Sequence, residues 1–313
     1  MNIRLIVNIF LVMTVGLVIT FLSIFIGKQS YSWLPPQAAA ESHLIDNLFS
    51  FLVTIGAFIF LGVTAAILYS VLFHRARIYD FTDGPHIEGN ITLEIIWTAI
   101  PIMLVLWIAT YSYQVYETIG IQGPGHLLHL HNPLPIQLSL GKKEQEPTAT
   151  SLDKPLEKID VVAKQWAWIF SYPQQGITST ELHLPSNQRV HLALQSEDVL
   201  HGFYIPAFRV KQDIVPGKTI DFEFTPTLIG KYSLTDSQYS GTYFATMEAK
   251  VIVQSPEDYE NWLKKAASQS PIAAPNQAAT EYAQTHNKNI QLGWKTVAPA
   301  APPVVNFVGD GHL

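Results

Sequence analysis

The 313-residue chain contains no cysteine. That absence excludes disulfides, iron–sulfur clusters, thiolate metal sites, cysteine nucleophiles and a lipid-modified N-terminal cysteine. Charge is scarce as well. Only 14% of residues are Asp, Glu, Lys or Arg, against roughly 25% in an ordinary soluble domain, so part of the chain does not face water. Positive charge is not in excess either. Nineteen Lys and Arg against 25 Asp and Glu leave a formal charge of −6, which gives no footprint for nucleic acid. No phosphate-cradling glycine loop, Ser/His/Asp arrangement or internal repeat is visible, so an independent catalytic site is not expected.

What the chain does have is apolar length. Three stretches can each cross roughly 30 Å of hydrocarbon as a helix. They run from about Leu5 to Ile26, from Leu48 to Phe73 without a charge, and from Ile91 to about Tyr116 with Glu94 near the start. Trp97, Trp107, Tyr111, Tyr113 and Tyr116 lie toward the ends of the third, as interfacial aromatics do. The first stretch also admits a reading as a signal peptide, with Arg4 before it and Ala38-Ala39-Ala40 as a cleavage site. Its length and the distance to those alanines favour a retained helix. His74-Arg75-Ala76-Arg77 follow the second stretch and mark a cytoplasmic loop, so everything after about Glu117 is expected outside or in a lumen.

The segmentation that follows is residues 1–27 as an N-terminal membrane helix or signal anchor and 46–117 as a helix hairpin. Residues 118–158 are a Pro/Gly-rich linker. Residues 159–254 show short alternating runs broken by turns: Ile159–Phe170, His191–Gln195, Thr219–Phe224 and Glu248–Val253. These predict an antiparallel β-sandwich. A short helix is expected within 255–268, capped by Ser255 with Pro256 at its first position. The Ala/Pro/Gln/Asn-rich tail, 269–313, lacks periodicity and reads as disordered.

Several motifs then stand out in order. Glu94-Ile95-Ile96-Trp97-Thr98-Ala99-Ile100-Pro101 opens the third helix, and Lys164-Gln165-Trp166-Ala167-Trp168 falls on the first strand. Asp198-Val199-Leu200-His201-Gly202-Phe203-Tyr204-Ile205-Pro206-Ala207-Phe208-Arg209-Val210-Lys211-Gln212-Asp213 follows, then Pro216-Gly217. Together they resemble subunit II of the haem–copper terminal oxidases, the cytochrome c oxidase subunit II family, over roughly Leu48 to Lys265. The resemblance implies a transmembrane helix hairpin carrying an external cupredoxin-like β-sandwich. It also implies partnership with oxidase subunits I and III and with membrane lipid. The membrane implied is a prokaryotic energy-transducing one, plasma membrane or thylakoid.

In cytochrome c oxidases that domain holds the dinuclear CuA centre, on one upstream histidine and a Cys-x-Glu-x-Cys-x-x-x-His-x-x-Met run. Two close copper ions must share two bridging thiolates. Here His201 matches the first histidine, and Gly241 with Met247 fixes the register of the rest. In that register the cysteines become Asp236 and Ser240, the glutamate Gln238 and the second histidine Phe244. A serine hydroxyl stays protonated near neutral pH and phenylalanine has no lone pair. The expectation is therefore a degenerate site without CuA and no cofactor in this chain, with haems and CuB in subunit I. Tyr239-Ser240-Gly241, Phe244 and Met247 resemble the same segment of bo-type quinol oxidases, although His201 is retained.

Individual residues carry competing readings. Glu94 is either an interfacial carboxylate at a helix N-terminus or, as the resemblance implies, the mouth of a proton channel into subunit I. Trp166 matches the family's point of electron arrival from cytochrome c. Without CuA beneath it, aromatic packing of Trp166 and Trp168 on one strand face is the stronger reading. His201, Asp236 and Met247 could hold a single metal ion, with Phe244 closing one side. Gln238 replaces a glutamate that in the family helps hold magnesium, and an amide is the weaker ligand. His126, His129 and His131 form a linker cluster without an acidic partner, read as solvated or interface-packed. The leading function is a non-catalytic subunit II of a proton-translocating oxidase that reduces O2 to water, fed by quinol. One alternative keeps a soluble carrier as donor without CuA. Another is a membrane-tethered cupredoxin-like protein for copper handling or assembly.

Overall fold

The computed structural model describes residues 3–75, 89–119, 157–287 and 296–309. The linker histidines 126, 129 and 131, most of the 118–158 linker and Arg77 lie outside the described residues. The described chain divides into two units, a helical one (1–35 and 43–118) and a β-rich one (36–42 and 119–313).

The helical unit contains three helices long and apolar enough to cross a membrane: α1 (Ile3–Gln29), α2 (Ser42–Phe73) and α3 (Ile91–Ile119). Helix α2 starts six residues before the apolar run because its first turns, Ser-His-Leu-Ile-Asp-Asn, are polar; hydropathy marks a span, not the full helix. Gly27 lets α1 approach α2 closely, since a Cβ there would collide with the Thr54 hydroxyl. Ser50 Oγ donates to the Gly27 carbonyl at 2.7 Å, and small and hydroxyl residues at such contacts are what packing in lipid favours. Phe51 of α2 meets Trp107 and Tyr111 of α3 edge-on, at 5.1 and 5.2 Å. Asn90 caps α3, its Oδ1 accepting from the Thr92 and Leu93 N–H groups. Pro101 sits inside α3, as membrane helices tolerate.

The β-rich unit packs two five-stranded sheets face to face. Its strands are β1 (Glu157–Lys164), β2 (Ala167–Tyr172), β3 (Ile177–Ser179), β4 (Leu182–Pro185), β5 (Val190–Ser196), β6 (His201–Ile205), β7 (Val210–Ile214), β8 (Ile220–Phe224), β9 (Gly230–Asp236) and β10 (Glu248–Gln254). One sheet runs β3-β2-β1-β5-β8 and the other β4-β10-β9-β6-β7. The pairs β1–β5 and β4–β10 are parallel in an otherwise antiparallel frame. Alternation along β1 and β5 turns Ile159, Val161, Ala163, Leu192 and Leu194 inward. They meet Phe203, Ile205, Leu234, Val251 and Val253 from the other sheet, all essentially sealed from water. Each such Val, Leu or Phe contributes about 1.5–3 kcal/mol.

The run Ile159–Phe170 is not one strand but two. The chain reverses at Gln165-Trp166, pairing Lys164 with Ala167. Trp166 therefore occupies the turn and Trp168 lies on β2, so the two do not share a strand face as expected. Continuous alternation hid the turn, which has no glycine or proline. Helix α4 (Pro256–Ala267) is capped by Ser255, whose Oγ accepts from the Asp258 N–H at 3.1 Å.

The tail is also corrected. Its described parts carry helix α5 (Gln277–Asn287) and a small antiparallel pair, β11 (Ile272–Ala273) with β12 (Val304–Val305). A few apolar anchors, Ala274, Ala278, Val305 and Phe307, dock on a surface the sandwich already offers. Anchors so sparse leave no periodicity to read. Residues 36–42, upstream of α2, also belong to this domain. Ala38 donates to the Ala207 carbonyl at 3.0 Å and Ala40 to the Thr225 carbonyl at 2.9 Å, and Ala38 and Ala39 are buried in the core.

Candidate functional site

His201 opens β6 and Asp236 ends β9, its neighbour in the sheet. That adjacency brings the two side chains together: His201 Nδ1 lies 2.8 Å from Asp236 Oδ2. The other ring nitrogen, Nε2, lies 2.9 Å from Asp198 Oδ1 in the β5–β6 loop. Asp236 is held further. Its Oδ1 accepts from the Gly202 and Gln238 N–H groups at 2.7 and 3.0 Å, and its Oδ2 from Ser240 Oγ at 2.7 Å. Gly202 is required by this closeness, because a Cβ there would strike the Ser237 side chain.

Both contacts are hydrogen bonds to ionised carboxylates only when both imidazole nitrogens carry a proton. Burial alone would push His201 down, but the hydrogen bonds and charges of Asp236 and Asp198 outweigh it and raise its pKa. Burial would likewise raise Asp236, yet bonds from His201, Gly202, Ser240 and Gln238 hold it below the usual carboxylate range. The result is a buried imidazole clamped between two carboxylates, a geometry that favours its protonated form.

The remaining residues of the register stand around this group without joining it. Met247 is buried, and its carbonyl accepts from Trp168 Nε1 at 3.2 Å and from the Asp236 N–H at 3.1 Å. The Trp168 ring lies edge-on to His201 at 6.3 Å. Gln238 turns its amide to Asp213 Oδ1 at 2.9 Å. Half-buried Phe244 packs on the core and on Tyr239 at 5.2 Å. Trp166 is buried against Tyr243 at 5.1 Å. It also faces Gly241, whose φ of +121° suits glycine and where an added Cβ would fall 2.7 Å from the indole. Glu94 belongs to the helical unit, in the first turn of α3, with its N–H on the Asn90 carbonyl.

Asp198 and Asp213 were not singled out from sequence as site residues. Asp198 had a signal: it stands three residues before His201 in a run dense with β-formers, where a carboxylate has no packing reason. Asp213 had none.

A helical membrane anchor bearing an external two-sheet domain, with a histidine and a ligand-like loop at the sheet end, defines a membrane-bound subunit of the cupredoxin-bearing kind. The family model for the cytochrome c oxidase subunit II transmembrane domain matches residues 27–115, and that for its periplasmic domain residues 177–255. Cytochrome c oxidase subunit 2 of Thermostichus vulcanus is 35% identical, over 84% of this chain and 86% of that protein. The protein of the same name from Synechocystis sp. is 33% identical over 85% and 84%. Quinol oxidase subunit 2 of Bacillus subtilis is 24% identical over 78% of this chain and 69% of that protein. The chain belongs to the cytochrome c oxidase subunit II family. It is a membrane protein whose C-terminal domain lies outside, and it works as a subunit of a terminal oxidase alongside other oxidase subunits.

Proposed function

We propose that this chain is the non-catalytic subunit II of a proton-translocating oxidase that reduces O2 to water, that it carries no CuA, and that quinol supplies the electrons. The observation that carries the reading is the clamped imidazole. CuA needs two bridging thiolates and two imidazoles. This chain has no sulfur donor but methionine, the second imidazole position is Phe244, and both nitrogens of His201 face carboxylates. The donor set does not fit the copper pair, and the same commitment of His201 argues against one metal on His201, Asp236 and Met247. Gln238, donating to Asp213 of its own chain, is a poor replacement for a magnesium carboxylate.

In this reading the haems and CuB reside in subunit I, and subunit III completes the complex. The chain clamps subunit I and presents Glu94 to its proton path. Glu94→Gln keeps size and hydrogen bonding but removes the proton; turnover falls several-fold while haem content stays whole. Unchanged turnover returns Glu94 to an interfacial carboxylate.

The Thermostichus vulcanus and Synechocystis sp. relatives, named cytochrome c oxidase subunit 2, are more similar in sequence than quinol oxidase subunit 2 of Bacillus subtilis, which keeps a soluble donor as the second reading. Oxygen uptake by the purified complex, with a short-chain quinol and reduced cytochrome c offered separately, tells the two apart. Uptake with cytochrome c alone would overturn the quinol reading.

A further inference from the structure

Trp166 stands in a turn, where side chains are ordinarily open to water, yet it is 2% exposed. The C-terminal part of the chain packs on this turn. Asn276 Nδ2 donates to the Trp166 carbonyl at 3.2 Å. The Ala300 N–H donates to the Gln165 carbonyl at 2.6 Å, and Ala278 joins the same core cluster as the indole. Pro275, Asn276 and Pro303 share with Trp166 and Trp168 the walls of a cavity of about 490 Å³.

The cover is fastened, not laid on. Phe307 bridges Ser179 at the edge of the first sheet, donating to the Thr178 carbonyl at 3.0 Å and accepting from the Thr180 N–H at 3.2 Å. Asn306 Oδ1 accepts from both the N–H and the hydroxyl of Thr178, each at 3.0 Å. The Phe307 ring wedges against His183 and Trp262 at 5.4 and 5.6 Å.

Electron transfer weakens steeply with distance, so a soluble redox protein must bring its cofactor edge close to the domain surface. On this domain Trp168 lies edge-on to His201 at 6.3 Å, and Trp166 stands in the adjoining turn. We propose that residues 272–287 and 296–309 form a permanent cover on this face, an occupant the chain supplies itself, which keeps a soluble redox protein off it. The inference rests on the quinol reading and deepens it: the face closest to the lost electron site is shut as well as empty of thiolates.

Because the chain has no cysteine, Thr178→Cys with Asn306→Cys gives it a single disulfide that pins the cover in the assembled oxidase. Turnover is measured with a short-chain quinol and with reduced cytochrome c, before and after reduction by dithiothreitol. The expected result is quinol turnover equal within about twofold in the pinned and reduced forms. Loss of turnover on pinning, restored by dithiothreitol, overturns the cover whichever donor is used. Cytochrome c turnover that pinning does not change overturns the quinol reading but leaves the cover standing, since that donor then enters elsewhere. Hydroxyl-radical labelling of the unmodified complex is a check that needs no variant. Trp166 is expected to react several-fold more slowly than Tyr239, which is 76% exposed. Equal rates overturn the cover.

Discussion

Two buried histidines sit in one sandwich and are handled in opposite ways. His201 is held by charge, with a carboxylate at each nitrogen, 2.8 and 2.9 Å away. His183 on β4 is held by shape. Its ring lies flat on Trp262 at 3.9 Å and 7°. Nδ1 meets the Gln254 amide oxygen at 2.9 Å, and Glu181 stands back at 3.4 Å. The difference is one of surroundings: carboxylates at both nitrogens of His201, an aromatic face and an amide at His183.

The comparison is broken most severely at Asp236. Asp236→Asn leaves the imidazolium buried with one partner, and we expect a loss of about 3–5 kcal/mol in urea unfolding of the full chain followed by tryptophan fluorescence. A loss under about 1 kcal/mol would mean that the clamp is not charged. His183→Ala removes the stack and one hydrogen bond, costing roughly 2–3 kcal/mol. The clamp adds a pH dependence of its own. The raised His201 pKa contributes stability that is complete below its ordinary 6.5 and lost as pH rises through the folded value. The lowered Asp236 pKa contributes stability that is complete above its ordinary 3.8 and lost as pH falls through the folded value. The plateau between these limits should disappear in His201→Ala. The smallest effect is Asp198→Asn, about 1 kcal/mol, because that carboxylate is 28% exposed and water screens it.

Much of this was legible in the sequence. Apolar runs marked the three helices, and the Ser255-Pro256 pair marked where α4 begins. His201 and Ser240, which the sequence comparison groups with Asp236, both lie within hydrogen-bonding distance of it. What stayed hidden has physical causes. The turn at Gln165-Trp166 carries no turn residue, because its geometry is fixed from outside: Asp198 Oδ2 accepts from the Gln165 N–H at 2.7 Å, and the Gln165 side chain donates to the Ser240 carbonyl at 2.6 Å. Helix α5 and the β11–β12 pair depend on contacts hundreds of atoms distant, so their own composition, rich in Ala, Pro and Gln, spoke only of weak propensity. The second carboxylate on His201, Asp198, was visible in the motif but unassigned, because a motif records identity, not direction.

The short segment 36–42 has a topological consequence. It is part of the outer domain although it precedes two membrane crossings, so it must lie on the same face of the bilayer as the sandwich. Crossings alternate sides: α2 carries the chain inward, α3 returns it, and α1 must have started from the inner face. The sidedness of the whole chain thus follows from counting parity, with no appeal to the arginines of the inner loop. Cleavage after Ala40 would also sever Ala38 and Ala39 from their covalent tether while leaving them wedged in the core. A reporter fused before Ile3 should therefore be shielded from an external protease in intact cells, and one inserted after Leu34 should be digested.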